Sequence, residues 1–189
     1  MDRDAEPALS RRLTDLARAD AGMMAALRAV RVLGLPQGAI GAGFVRAMVW
    51  DHLSGFAQAS PVDDIDVLYH DPADLGRARE AALEERLADL LPGRPWSVRN
   101  QARMHLRNGD APYRDLADAL RHWLETPTCV ALSLDADDRI HVTAPFGLAD
   151  LFALVVRPTP RGRERRGAFD ERVAAKGWLM RWPEARLQD

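Results

Sequence analysis

The sequence predicts an α/β (α+β) fold: a mixed β-sheet flanked by helices, with a helical segment at the N-terminus and a helix at the C-terminus. Three observations carry this reading. Between Ala39 and Asp71 an apolar run, a glycine turn, a helical pattern and a second apolar run follow one another. Other strand-length apolar runs are separated by longer stretches of helical period. The runs Cys129–Leu134 and Ile140–Thr143 flank Asp135-Ala136-Asp137-Asp138, a hairpin signal, and a hairpin must be antiparallel. A purely doubly wound sheet is therefore disfavoured.

In chain order, Leu9, Leu13 and Leu16 recur at helical spacing. Met23, Met24, Leu27 and Val30 continue the pattern after a break near Asp20 and Gly22, with Ser10 or Asp20 as expected caps. Methionines at this spacing are read as core. The segment LGLPQG ends the helices. A first strand follows, roughly Ala39 to Ala42, then a helix from Phe44 to Leu53 with Val45, Met48 and Val49 inward. The second strand runs from Asp64 to Tyr69. Asp74 is placed to cap a helix over about Leu75–Leu91, with Leu83, Leu87, Leu90 and Leu91 on its apolar stripe. Trp96–Asn100 is a third strand. Asp115–Trp123 is a helix with Leu116, Ala119, Leu120 and Trp123 inward, and the hairpin comes after it. APFGLADLF opens a short helix, RPTPRGRERRG reads as a basic solvated loop, and RRGAFDERVAAKGWLMRWP reads as one amphipathic helix.

The 189 residues are expected to form one domain: N-terminal helices over 1–34, an α/β core over 35–155, and a basic loop and C-terminal helix over 156–189. Hydrophobic residues make up 47%, enough for a substantial core. The net charge of -2 and a pI near 6.2 supply no global basic field, so no strong general DNA binding is expected. Lys176 is the only lysine. Cys129 is the only cysteine and reads as a buried small hydrophobe. With no basic-then-apolar leader and no apolar run long enough for a bilayer, a cytoplasmic protein without a membrane partner is expected.

The chemistry points to the second strand. Side chains alternate along a strand, so Asp64 and Asp66 share a face while Ile65 and Val67 point the other way. Two carboxylates on one face repel each other unless a cation lies between them, and hard divalent cations favour such oxygens. Upstream, Gly41-Ala42-Gly43 opens a helix, bringing backbone amides and a positive helix end toward an anion. Bridging metal ions of this kind activate the attacking oxygen and neutralise the leaving group in nucleotidyl transfer.

This arrangement resembles the polymerase-β nucleotidyltransferase superfamily, with Ile40-Gly41-Ala42-Gly43 as the glycine turn and Asp64-Ile65-Asp66 as the DxD strand. More of the chain, from about Leu35 to Pro183, is similar to a bacterial family of nucleotidyltransferase-like proteins of unknown substrate. The matching segments are GAGFVRAMVWD, DIDVLYHD, NQARMH, APFGLADLF and KGWLMRWP. The resemblance implies a nucleoside triphosphate as donor, an unknown acceptor, and Mg²⁺ or Mn²⁺ on Asp64 and Asp66. It also implies a third carboxylate from a neighbouring strand, yet Trp96–Gln101 contains none. Ser97, Asn100 and Gln101 offer only neutral oxygens there, and Asp135, Asp137 and Asp138 read as turn residues.

Around this centre, Gly41, Ala42, Gly43 and Arg46 are candidate phosphate contacts, with a surface arginine as the rival reading of Arg46. Asn100 and His105, in the polar run Asn100–His105, are a candidate binding rim, with a hydrogen-bonded loop anchor as the rival. His52, His70, His122 and His141 have no ligand-like spacing. Asp51, Asp63 and Asp150 read as caps or solvated residues, and Trp123, Trp178 and Trp182 as packing. A dinucleotide-binding oxidoreductase is disfavoured, because Arg46 stands where its third small residue belongs and the acids open the second strand instead of ending it. Nucleotidyl transfer and a nucleotide- or metal-binding module on the same fold remain.

Overall fold

The computed structural model describes residues 5–189; the first four residues of the predicted N-terminal segment lie outside the described residues. The apolar spacing there gives α1 (Ala5–Ala19) and α2 (Ala21–Val32), with Leu13, Met23, Met24 and Leu27 buried. Asp20 caps α2, its carboxylate accepting from the Met23 amide at 2.9 Å. Ser10 lies inside α1 and caps nothing.

Strand β1 (Ala39–Gly41) passes directly into α3 (Ala42–Leu53), which starts two residues earlier than expected. The junction is made by Ala42 at φ 54°, a left-handed value that is uncommon for a residue with a Cβ. Then come β2 (Ile65–Tyr69), α4 (Arg77–Leu90) and β3 (Trp96–Asn100), the last matching its predicted bounds. Asp74 does not cap α4: the N-cap is Gly76, whose amide donates to Asp74 at 2.8 Å in the preceding turn. The leucine stripe is also thinner than expected, since Leu87 is buried and Leu90 is exposed.

Short helices α5 (Met104–Asn108) and α6 (Leu116–Leu120) lead to β4 (Ala131–Leu134) and β5 (Ile140–Thr143), the predicted hairpin. After α7 (Ala149–Phe152) and β6 (Val155–Val156), the predicted loop is helical: α8 (Pro160–Glu164). Proline at a first helical position and a Thr159 hydroxyl accepting from the Gly162 amide at 3.0 Å are ordinary helix-start chemistry. The C-terminal helix is two pieces, α9 (Arg166–Lys176) and α10 (Trp178–Arg181), broken where Gly177 adopts φ 58°, before β7 (Arg186–Leu187).

The five-stranded sheet has the order β3-β2-β1-β4-β5, and only β2 and β3 are parallel. A second, two-stranded sheet joins β6 and β7. One face of the large sheet, with Ile40, Ile65, Val67, Tyr69, Val98 and Leu132, belongs to the main core with residues of α1, α2, α3 and the C-terminal helices. The other face is covered only locally, where Ala39, Leu68 and Ala131 meet Leu116 and Leu120 of α6. That partial cover leaves room for a cleft.

Gly41 holds this junction by its lack of a side chain. A Cβ there would lie 2.7 Å from Leu68 Cδ1 and 2.9 Å from the Val130 carbonyl oxygen, the second a backbone atom that cannot easily give way. Gly41→Ala is therefore expected to destabilise the fold by about 1–3 kcal/mol, the usual range for overpacking, which denaturant unfolding would measure.

Candidate functional site

Alternation along β2 turns Leu68 toward α6, and Asp66 and Asp64 follow it along the same face beyond the helix's reach. There the sheet floors two adjoining cavities, of about 400 and about 210 Å³. Asp64, Asp66, Arg172 and Lys176 line both, so the carboxylate pair stands at their junction. Burial, and then the charge of Asp64, pushes the Asp66 pKa up to about 6 against the opposing pull of Arg172, Lys176 and Arg99. Among the described residues no cation bonds directly to either carboxylate, and their donors are hard oxygens. Both features fit a divalent cation.

The glycine turn divides its tasks. Gly41 packs inward and lines neither cavity, so it is corrected from ligand contact to packing residue. Ala42 lines the larger cavity and Gly43 the smaller. A Cβ on Gly43 would meet nothing nearer than Arg46 Nη2 at 3.9 Å, and its φ is not left-handed, so neither packing nor backbone demands glycine there. What glycine provides is open space beside the N-terminus of α3, which no side chain caps.

Arg46 is only 6% exposed, and its guanidinium lies against Trp178 (4.6 Å), Trp50 (5.3 Å) and Trp182 (5.4 Å). Among the described residues its Nε has no hydrogen-bond partner, and no acid forms an ion pair with the group. Burial, opposed by Glu125 and reinforced by Arg172 and Arg181, lowers its pKa to about 10, leaving it cationic near neutrality. It lines the smaller cavity with Gly43 and Arg181. The cage also gives Asp51 a role other than capping: buried, it accepts from Trp182 Nε1 at 2.8 Å and from the Ser60 amide and hydroxyl at 2.6 and 2.7 Å.

The cationic walls come from the segments read as a basic loop and a C-terminal amphipathic helix. Arg161 and Arg165 line the larger cavity, Arg181 the smaller, and Arg172 and Lys176 both. Positions 161, 165, 168, 172 and 176 all face the cleft; their spacing of three and four was the signal in the sequence, hidden by neighbouring prolines and glycines. Glu125, also missed, is a buried acid in the wall of the larger cavity.

Other candidates move away from the cleft. Asn100 is fully buried; its amide donates to the Asp71 and Asp74 carbonyls and accepts from the Asp71 and Ala102 amides, which makes it the loop anchor and not a rim. His105 lines neither cavity, and its Nδ1 lies 2.7 Å from the Ala102 carbonyl. Arg103 forks onto buried Glu80 at 2.8 and 2.6 Å. Asp150 does not cap α7 but accepts from Thr126 Oγ1 at 2.7 Å and Arg157 Nε at 2.9 Å, and Asp63 pairs with Lys176 at 3.1 Å. Parallel register sets Ser97 beside Asp66, so the adjacent strand supplies a hydroxyl. Among the described residues no three His, Cys, Asp or Glu side chains gather at metal-binding range.

An acid whose pKa rises on folding binds its proton more tightly in the native chain. Asp66 therefore lowers stability as pH climbs from about 4 through about 6. Asp66→Asn is expected to stabilise the protein near pH 7 by up to about 3 kcal/mol, with the gain vanishing near pH 4. Denaturant unfolding in a chelator across this range checks it; a pH-independent difference would refute the assignment.

The sequence profile of a family described as nucleotidyltransferase matches residues 28–187. No curated protein sequence matches the chain. Among solved structures, an NMR structure described as a CCA-adding enzyme head domain is 31% identical over 95% of both chains, with a TM-score of 0.81. A Thermotoga maritima CCA-adding enzyme complexed with tRNA is 16% identical, with 95% of this chain covering 42% of that one at a TM-score of 0.58. A CCA-adding enzyme in complex with CTP is 15% identical, with 95% and 43% coverage and the same score. The chain spans less than half the length of these last two enzymes, and their likeness to it is one of fold. With a family profile matched over most of its length and that fold around the cleft, the chain belongs to the nucleotidyltransferase family.

Proposed function

We propose that the protein transfers a nucleoside monophosphate from a nucleoside triphosphate to an acceptor hydroxyl. The observation that carries this is the carboxylate pair at the junction of two cationic cavities, one of them opening at the glycine start of α3. In this reading the triphosphate tail occupies the smaller cavity, beside Gly43, Arg46 and Arg181, and the nucleoside and acceptor end share the larger one. Asp64 and Asp66 would hold Mg²⁺ or Mn²⁺, which when bound supplies neutralisation of the phosphates and polarisation of the α-phosphoryl group. The acceptor oxygen bonds to the α-phosphorus while the bond to the bridging oxygen breaks. Pyrophosphate leaves with that electron pair, and the hydroxyl proton is released to water.

An RNA end is the acceptor best supported. Three similar structures are described as a CCA-adding enzyme or its head domain, one of them with tRNA bound. Arg99, Arg107, Arg161 and Arg165 line the cavity where an anionic acceptor would enter. This concerns a chain end at the cleft; strong binding of random duplex DNA is still not expected at a net charge of -2. The absence of an acid from β3 favours a second reading, a nucleotide-binding module with little turnover. Transfer of label from each α-labelled nucleoside triphosphate into cell RNA, with Mg²⁺ or Mn²⁺, decides between them.

Two outcomes are expected at the bench. Asp66→Asn should keep its fold and lose Mn²⁺ binding by at least about tenfold in calorimetry, since a neutral amide forfeits most of the attraction to a hard cation. Gly43→Val should keep its melting temperature, having open space for the side chain, while weakening triphosphate binding by roughly 10- to 100-fold, the scale of one or two lost charge-assisted contacts. Normal nucleotide affinity in folded Gly43→Val would move the phosphate seat elsewhere.

A further inference from the structure

Glu125 is 1% exposed, yet it lies in the wall of the larger cavity. Its backbone is pinned: it bridges to Pro158, its carbonyl accepts from Cys129 Sγ at 3.1 Å, and Thr128 Oγ1, also at 3.1 Å from that carbonyl, shares its one proton between it and the carboxylate. The carboxylate oxygen Oε1 accepts from Thr128 Oγ1 at 2.9 Å and from Arg172 Nε at 2.8 Å. A carboxylate this deep is unfavourable without compensation, and among the described residues Arg172 is the one cation paired with it.

The manner of that pairing is informative. Arg172 is held by Nε, at the root of the guanidinium, with the face of Trp178 at 5.9 Å. Neither Nη bonds to another described residue, and the side chain is 40% exposed in the lining of both cavities. One edge of a planar fork is anchored and the other is unbonded among the described residues, on a side chain that lines the same two cavities as Asp64 and Asp66. That open edge has the geometry to bind two phosphoryl oxygens at once. A clamp serving only to tie α9 to the sheet would gain from engaging the Nη groups as well.

We propose that Glu125 is a positioning residue for nucleotide: it fixes Arg172 through Nε so that the Nη edge receives phosphoryl oxygens at the junction of the two cavities. This rests on reading that junction as a triphosphate site. Arg172 touches the ligand, and Glu125 acts through Arg172.

The test is a double-mutant cycle in which calorimetry follows binding of α,β-methylene analogues of the four nucleoside triphosphates in Mg²⁺, with melting temperatures alongside. Glu125→Gln should weaken the tightest analogue roughly 10- to 100-fold, the scale of a charge-assisted contact. Arg172→Gln should weaken it at least as much, and the double variant should be within about twofold of Arg172→Gln alone, because the two residues act in series. Arg172→Lys keeps the charge but cannot be anchored and offer a fork together, so it should behave like Arg172→Gln. Additive losses, or wild-type affinity in Arg172→Lys, overturn the positioning role while leaving the nucleotide site standing. Should Glu125→Gln not fold, Thr128→Val, which frees the carboxylate from its second donor, takes its place in the cycle with the same criteria. Failure of the wild-type protein to bind any analogue overturns the triphosphate reading, and this inference with it.

Discussion

The cleft is organised around a buried cation to which, among the described residues, no acid is bonded. Taking an isolated charge out of water is strongly unfavourable, and proteins ordinarily pair it or neutralise it. Arg46 does neither; it is met by three tryptophan faces. Trp50 comes from α3, one turn beyond Arg46, while Trp178 and Trp182 come from the C-terminal end of the chain. The cage can close only if α10 is folded back onto α3. Once it does, α9 is drawn across the open end of the sheet, and Arg172 and Lys176 stand over the acids of β2. The edge-on contact of Trp50 with Trp182 at 5.2 Å, and the bond from Trp182 to buried Asp51, complete the closure.

A balance of charge follows from that closure. Asp66 on β2 is desolvated and repelled by Asp64 just before the strand, which by itself disfavours the folded state. The cations on α9 offset part of this without bonding directly to Asp64 or Asp66; Lys176 pairs with Asp63 and Arg172 with Glu125. Among the described residues neither acid is bonded to a cation, and the Nη groups of Arg172 are unbonded, the state that the proposed triphosphate site requires. Such incomplete satisfaction is unfavourable for stability and is characteristic of a binding centre. The left-handed φ of Ala42 sits at the same place, where the chain turns from β1 into the helix that carries Arg46.

Local signals served well where the determining interactions were local. Apolar periodicity found the N-terminal helices and the central strands, and Trp96–Asn100 was placed to the residue because PGRP opens it sharply. The DxD pair was legible because strand alternation is a property of the backbone, independent of what packs on it. Arg46 was noticed for its charge but read as a surface or phosphate-touching residue; its burial depends on tryptophans more than a hundred residues away. Asn100 and His105 drew attention as polar residues at a strand end. The fold spends Asn100 on holding the β2–α4 loop, which sequence cannot distinguish from a rim since both uses need the same amide.

By itself the sequence determined the mixed sheet, the hairpin, the glycine turn and the two acids on one strand face, because each follows from steric and periodic rules acting over a few residues. Tertiary structure alone decided what faces those acids. The helical return of α8–α10, the anchoring of Arg172 by Glu125, and the division of the turn into a packing Gly41 and an open Gly43 all arise from contacts between distant segments. Nothing local distinguishes a glycine kept for crowding from one kept for space. The difference lies in which atoms the rest of the chain brings to it, and here they are Leu68 and Val130 for the first and a cavity for the second.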